Sequence, residues 1–139
     1  MLVKKLAVTA AVAGALLTAG LATATSASAI NYDCSSGTVC LYYNSSSHGY
    51  GAVFQQYVDI ANYSSPYNFT FSAGNNGSAG AGVSVKNNAA AVDSWYSGNF
   101  VVYYNSNYSC SFACQTIPSM ATVDLSATMK NNNASGAFR

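Results

Sequence analysis

Beyond its first 29 residues, this chain never sustains an apolar period of 3.6 residues over three helical turns. That excludes a helical core. Apolar residues come instead in short runs rich in aromatic and β-branched types, which suit a pleated, half-buried surface. Asn, Ser, Gly or Pro breaks each run. The runs predict strands over Val39–Tyr43, Val53–Val58, Tyr67–Phe71, Val83–Lys86, Ala90–Tyr96, Phe100–Tyr104, Thr116–Ile117 and Thr122–Leu125, and Ser135–Phe138 closes the chain. Asn44–Gly51 reads as loop, and Ala73–Gly82 (AGNNGSAGAG) as a flexible loop or long hairpin tip. Ala89–Ala91 has the composition of a single helical turn. Many short strands with turn signals about every ten residues imply an all-β sandwich or barrel.

The opening segment does not belong to that pattern. Lys4 and Lys5 precede an apolar run from Leu6 to Leu21, and Ala27-Ser28-Ala29 is a small-x-small cleavage signal. This is the layout of a secretory signal peptide over residues 1–29. The run is short of the roughly 20 residues needed to span a bilayer. Cleavage after Ala29 leaves residues 30–139 as one small domain, expected to be a monomer, in an oxidising, extracellular setting. The formal charge falls from +1 to −1 when Lys4 and Lys5 leave. Without a basic patch, nucleic acid and anionic membrane surfaces are not expected partners.

All four cysteines lie in the exported part: Cys34, Cys40, Cys110 and Cys114. Two disulfides are expected. Closeness in sequence favours two local bridges, Cys34 with Cys40 and Cys110 with Cys114. A long-range bridge between the clusters is the alternative. Such short loops each contribute roughly 2 to 2.5 kcal/mol in the chain-entropy account, so their main effect is to fix loop shape. A local second bridge would clamp Ser111, Phe112 and Ala113 in a tight exposed loop after the strand and turn of Tyr103–Asn107.

Two short motifs recur in the same order in each half. Tyr42-Tyr43-Asn44-Ser45 returns as Tyr103-Tyr104-Asn105-Ser106, and Lys86-Asn87-Asn88 returns as Lys130-Asn131-Asn132. A duplicated four-stranded unit is the expectation.

These residues resemble the bacterial secreted metalloproteinase-inhibitor family, whose fold is a single βγ-crystallin-like domain of two Greek keys. Asp33 to Tyr42 (DCSSGTVCLY) is similar to that family's Cys–Gly–Cys–apolar–Tyr opening. Tyr103 to Cys110 is similar to the aromatic corner of a crystallin key, and Asn87 to Val92 to the Asn/Asp pair at a key's end. The resemblance implies a peptidase inhibitor whose reactive bond lies inside the second disulfide loop. Here that maps to Cys110-Ser111, with Phe112 next, and makes Cys110, Ser111, Phe112, Ala113 and Cys114 the presenting loop. Thermolysin-like enzymes favour a large apolar residue after the scissile bond. Ser111 is small and polar, and Phe112 stands one position further on.

Crystallin keys also bind calcium through an Asn/Asp pair and a downstream hydroxyl. Calcium takes six to eight hard oxygens. Asn87 and Asn88 supply only amides, and Ala91 and Val92 stand at the hydroxyl positions. Asn131, Asn132 and Ser135 are little better supplied. Turn formation is the expected role of these asparagines, and no metal or cofactor is expected.

Enzymatic chemistry finds no support. The chain has no Glu, and Asp33, Asp59, Asp93 and Asp124 are far apart in sequence. The sole histidine, His48, sits in a Ser/Gly loop. Neither a Gly-x-Ser-x-Gly elbow nor a phosphate loop occurs. Eleven tyrosines and one tryptophan leave a second reading: a secreted carbohydrate- or cell-wall-binding β module with tyrosines as its platform. The competing reading places Tyr42, Tyr43, Trp95, Tyr103 and Tyr104 alternately in the core and on the surface of a sandwich.

Overall fold

The computed structural model describes residues 27–139, so the expected leader lies outside the described residues but for its last three positions. Among the described residues seven strands form: β1 (Val39–Tyr42), β2 (Val53–Gln56), β3 (Ala91–Ser94), β4 (Phe100–Tyr103), β5 (Cys114–Ile117), β6 (Thr122–Asp124) and β7 (Ser135–Phe138). They make two antiparallel sheets, in the order β2-β1-β3-β6 and β5-β4-β7.

The two halves interlock. β6, from the second half, completes the first sheet beside β3. Ile60, from the first half, bridges to Gly136 of β7 at the edge of the second sheet through bonds of 2.9 and 3.1 Å. Each half therefore contributes three segments to its own sheet and one to its partner's, as two Greek keys do. The sequence repeat falls on equivalent register positions: Tyr42 opposes Val53 and Ala91, and Tyr103 opposes Cys114 and Ser135.

Strand alternation decides which residues meet. Val39, Leu41 and Val92 of the first sheet pack with Phe100, Val102 and Ile117 of the second in the core between the sheets. Tyr63, Phe71 and Met129 fill the same core from the connections. Cys40, Tyr42 and Ala91 point the other way and form a smaller cluster with Tyr50, Ile30 and Cys34. The first sheet is thus covered on its outer side by the segment that begins the described chain.

Several expected elements differ. Tyr67–Phe71 and Val83–Lys86 are not strands. They pair over one short bridge about Thr70–Ser84, where Phe71 N–H donates to Val83 O at 2.9 Å and Val85 N–H to Phe69 O at 2.8 Å, and Ser72 bridges to Val53. The ladder cannot extend because Gly80–Gly82 turn the chain back, with Val83 N–H donating to Gly80 O at 3.1 Å. Gly80 has φ +88° and lies against the Tyr43 ring, where a Cβ has no space. Ala89–Ala91 is not a helical turn: Ala89 and Ala90 are buried and Ala91 opens β3. β2 stops at Gln56, two residues short of the expected end, because Gln56 turns inward to a buried network. β5 starts two residues early, at Cys114, where Tyr103 pairs with it. Within Asn44–Gly51, Ser46–His48 form one short 3-10 turn closed by Gly49 at φ +76°.

Candidate functional site

The loop between β4 and β5 is built from a fixed base. Tyr104 N–H continues the ladder to Ala113 O at 3.0 Å. Asn107 and Tyr108 both take left-handed φ, 59° and 58°, a region that asparagine tolerates and tyrosine enters only when held. They are held: Asn107 N–H donates to Ala61 O at 2.7 Å and Tyr108 N–H to Ser135 Oγ at 3.2 Å. Ser135 Oγ in turn donates to Asn105 O at 2.7 Å. The Tyr108 ring meets Tyr103 edge-on at 6.0 Å and carries the Arg139 guanidinium 5.5 Å from its centroid.

On this base the Cys110–Cys114 disulfide forms, with a Cα–Cα distance of 5.2 Å, inside the usual range. Cys34–Cys40 forms as well, so both bridges are local and the long-range alternative falls away. Cys110, Ser111 and Phe112 are exposed, while Ala113 and Cys114 are half-buried. Phe112 is 68% exposed and leans on the Tyr104 ring at 4.5 Å. Ser111 points back into the loop: its hydroxyl accepts from Asn105 Nδ2 at 3.2 Å and from Ser109 Oγ at 3.0 Å. The bond Cys110-Ser111 is therefore presented on a stiff turn with one large apolar side chain beside it.

The asparagine repeats do the same job twice. Asn88 Nδ2 donates to Ser84 O and Lys86 O at 3.0 and 2.9 Å; Asn132 Nδ2 donates to Thr128 O and Lys130 O at 3.0 and 3.3 Å. Asn87 and Asn131 sit at φ 62° and 59°. Each half thereby helps line a polar cleft. One, of about 250 Å³, joins Tyr43, Asn44 and Asn88 to Lys130 and Asn131; the other, of about 220 Å³, joins Tyr104, Asn105 and Asn132 to Lys86 and Asn87. These donors do not fit calcium. They are neutral amides with an ammonium among them: Lys86 Nζ donates to Asn62 Oδ1 at 3.1 Å and to Ser106 Oγ at 3.4 Å. Among the described residues no group of three His, Cys, Asp or Glu side chains is placed to hold a metal.

The carboxylates are dispersed, each in a local role. Asp33 accepts from Tyr42 Oη, Asn75 N–H and Asn76 Nδ2. Asp59 pairs with Arg139 at 2.9 Å. Asp93 accepts from Thr122 Oγ1 and Trp95 Nε1, and Asp124 from the N–H and hydroxyl of Ser46. His48 Nδ1 is within hydrogen-bond distance of Ser45 and Ser47 hydroxyls. Tyr42 and Tyr103 are buried, Tyr42 in the outer cluster, whereas Tyr43 and Tyr104 are half-buried against the core between the sheets and Trp95 is half-buried, so none of the five stands on the surface as a simple alternation of core and surface expects. Burial pushes the Tyr42 phenol up, with the Asp33 and Asp93 charges adding to it.

No local pattern signals what Asn75 and Asn76 do. Within Ala73–Gly82, expected as a flexible loop or long hairpin tip, Gly74 and Gly77 close a turn by exchanging bonds of 3.1 and 3.0 Å. Its two asparagines fasten residues 31–33 across the first sheet. Asn76 exchanges bonds with the Asn31 backbone at 2.9 and 2.6 Å, and Asn75 Nδ2 donates to Tyr32 O at 2.8 Å.

Among solved structures, the chain is similar to one described as "Evolution of the eye lens beta-gamma-crystallin domain fold". The TM-score is 0.54, with 8% identity, over 80% of this chain and 93% of that one. With the interlocked sheets and two disulfides, this defines an all-β protein of the βγ-crystallin fold. No family model matches the chain, and no curated protein matches it either.

Proposed function

We propose that this is a secreted peptidase-inhibitor-like protein that presents the Cys110–Cys114 loop to an extracellular zinc metalloproteinase. The observation that carries the reading is the loop itself: disulfide-clamped, exposed at Cys110-Ser111, and flanked by an exposed Phe112. A clamped loop loses little ordering entropy on docking in a protease cleft. A carbonyl oxygen of the loop can approach the open coordination position of a catalytic zinc. After cleavage at Cys110-Ser111, the disulfide tethers the products and the complex persists. Phe112 supplies the apolar anchor that Ser111 lacks. The leader over residues 1–29 delivers the protein to the compartment where such a protease works, and no enzymatic activity of its own is assigned.

The test is replacement of both Cys110 and Cys114 by Ser. Inhibition of a thermolysin-like zinc protease should disappear while the sandwich stays folded, and a serine protease should be unaffected by either protein. Full inhibition by the double variant would sink the clamped-loop reading.

A further inference from the structure

The far end of β5 carries a second feature, unrelated to the clamped loop. Cys114 opens that strand; past Ile117, at its other end, Met120 joins Tyr32, Trp95, Asp93, Ser94 and Thr122 around a cleft of about 270 Å³. Tyr32 and Trp95 meet at 5.3 Å with their planes 70° apart, so the two rings form a corner. Tyr32 is 59% exposed and Met120 63% exposed, although both are large and apolar in body. Tyr32 is held there because the Asn75–Asn76 buckle and the Cys34–Cys40 bridge fix the residues on either side of it.

Asp93, only 2% exposed, belongs to the lining. Its two oxygens accept from Thr122 Oγ1 at 2.7 Å and Trp95 Nε1 at 3.0 Å, both neutral donors. No cation balances it: among the described residues the one ion pair is Arg139 with Asp59, and Lys86 donates to Asn62 and Ser106. A buried carboxylate exerts its field at longer range than an exposed one because less water screens it. That field adds to the upward push on the Tyr42 phenol. Aromatic faces add a second attraction for positive charge. The cleft is below the roughly 300 Å³ at which drug-sized sites begin, so it suits a compact head group.

We propose that the Tyr32–Trp95–Met120 cleft is a binding site for a small organic cation, a quaternary or methylated ammonium. The indole N–H is already spent on Asp93, which fixes the ring plane. The two rings wall the ammonium, Met120 closes a third side, and Asp93 supplies the counter-charge. The chemistry is shared by a choline head group and a trimethylated lysine side chain, and the two are told apart by separate titrations.

Trp95 is the sole tryptophan of the chain, so its emission reports on this cleft directly. The purified protein, with both disulfides formed, is titrated with phosphocholine, with trimethyl-lysine, and with 3,3-dimethylbutanol, a neutral molecule of the same shape as choline. Triacetylchitotriose is the glycan arm. A saturable change with one of the ammonium probes is expected at a Kd of about 1 mM. The neutral isostere should bind at least about tenfold more weakly. Tyr32→Ala should weaken the ammonium at least about tenfold and leave the urea midpoint unchanged, since its ring is largely exposed. Asp93→Asn, which keeps one acceptor oxygen for Trp95 Nε1–H and offers an amide N–H that the Thr122 hydroxyl can accept, removes the charge and should weaken the ammonium and not the isostere. Equal affinity for ammonium and isostere would overturn the site. So would a response unaltered by Tyr32→Ala, saturation by chitotriose alone, or no saturable change up to about 10 mM of any probe.

Discussion

Replacing Tyr63 by Phe isolates one buried hydroxyl on which the two keys depend. Tyr63 is fully buried, and its hydroxyl donates to Gln56 Oε1 at 2.7 Å. Gln56 uses its amide nitrogen to reach Val58 O at 2.8 Å and Gly136 O at 2.9 Å. A residue of the first key thus ties β2 to β7 of the second. Gly136 has no side chain because a Cβ there would strike the Tyr63 hydroxyl and come within 2.7 Å of the Phe100 ring. Removing the hydroxyl leaves Gln56 Oε1 buried without a donor. An orphaned buried acceptor costs about 1–3 kcal/mol; with the small void added, about 2 kcal/mol is expected, a Tm loss on the order of 10 °C for a domain this size. Urea unfolding followed by Trp95 emission measures it. Tyr63→Phe with Gln56→Met, which removes both partners, should recover part of the loss, since Gly136 O keeps its bond from Ile60 N–H. A midpoint for Tyr63→Phe within error of the parent would refute the reasoning.

The same burial sets an alkaline limit. Desolvation raises the phenols of Tyr63, Tyr42, Tyr50 and Tyr108. A phenol raised on folding contributes stability that is fully present below the unfolded value and lost as pH rises, so the urea midpoint should hold up to pH about 10 and fall above it. A midpoint unchanged well above that pH would contradict this. Asn133→Ala orphans the buried Ala89 N–H, which donates to Asn133 Oδ1 at 2.9 Å, while the Val85 carbonyl keeps its bond from Asn88 N–H at 3.2 Å; the variant should cost about 2 kcal/mol in the same unfolding assay. Opening the second bridge with Cys110→Ser and Cys114→Ser should cost only about 2 kcal/mol and leave the circular dichroism of the sandwich unchanged.

Much of the fold could be read from short-range pattern. Val39 and Leu41 alternate with Cys40 and Tyr42, and the two sets do fill different clusters. The repeated Tyr-Tyr-Asn-Ser and Lys-Asn-Asn motifs marked equivalent positions because each occupies a strand end or a turn, where local geometry selects the residue. The cysteine spacing suited local bridges, and both formed. Pattern failed where tertiary partners decide. Tyr67–Phe71 alternates like a strand, yet its neighbour Val83–Lys86 is turned away after one bridge. Gln56 and Asn133 look like surface residues in sequence, but they satisfy buried groups more than 40 positions away. Asn75 and Asn76 look like turn formers, and they are, yet their amides also fasten a strap over 40 positions back. The candidate loop was legible because its residues are contiguous. The aromatic cleft was not, because Tyr32, Asp93, Trp95 and Met120 meet only when the strap, β3 and the β5–β6 connection come together.

The central claim concerns the Cys110–Cys114 loop, and an active-site titration tests it most directly. A zinc protease of thermolysin type, at known concentration, is titrated with the disulfide-bonded protein, and the bound protein is then mapped by mass. The account expects activity to fall linearly to a one-to-one end point, with any cleavage confined to Cys110-Ser111 and its fragments joined by the bridge. Undiminished protease activity at large molar excess, with both disulfides verified, would contradict it.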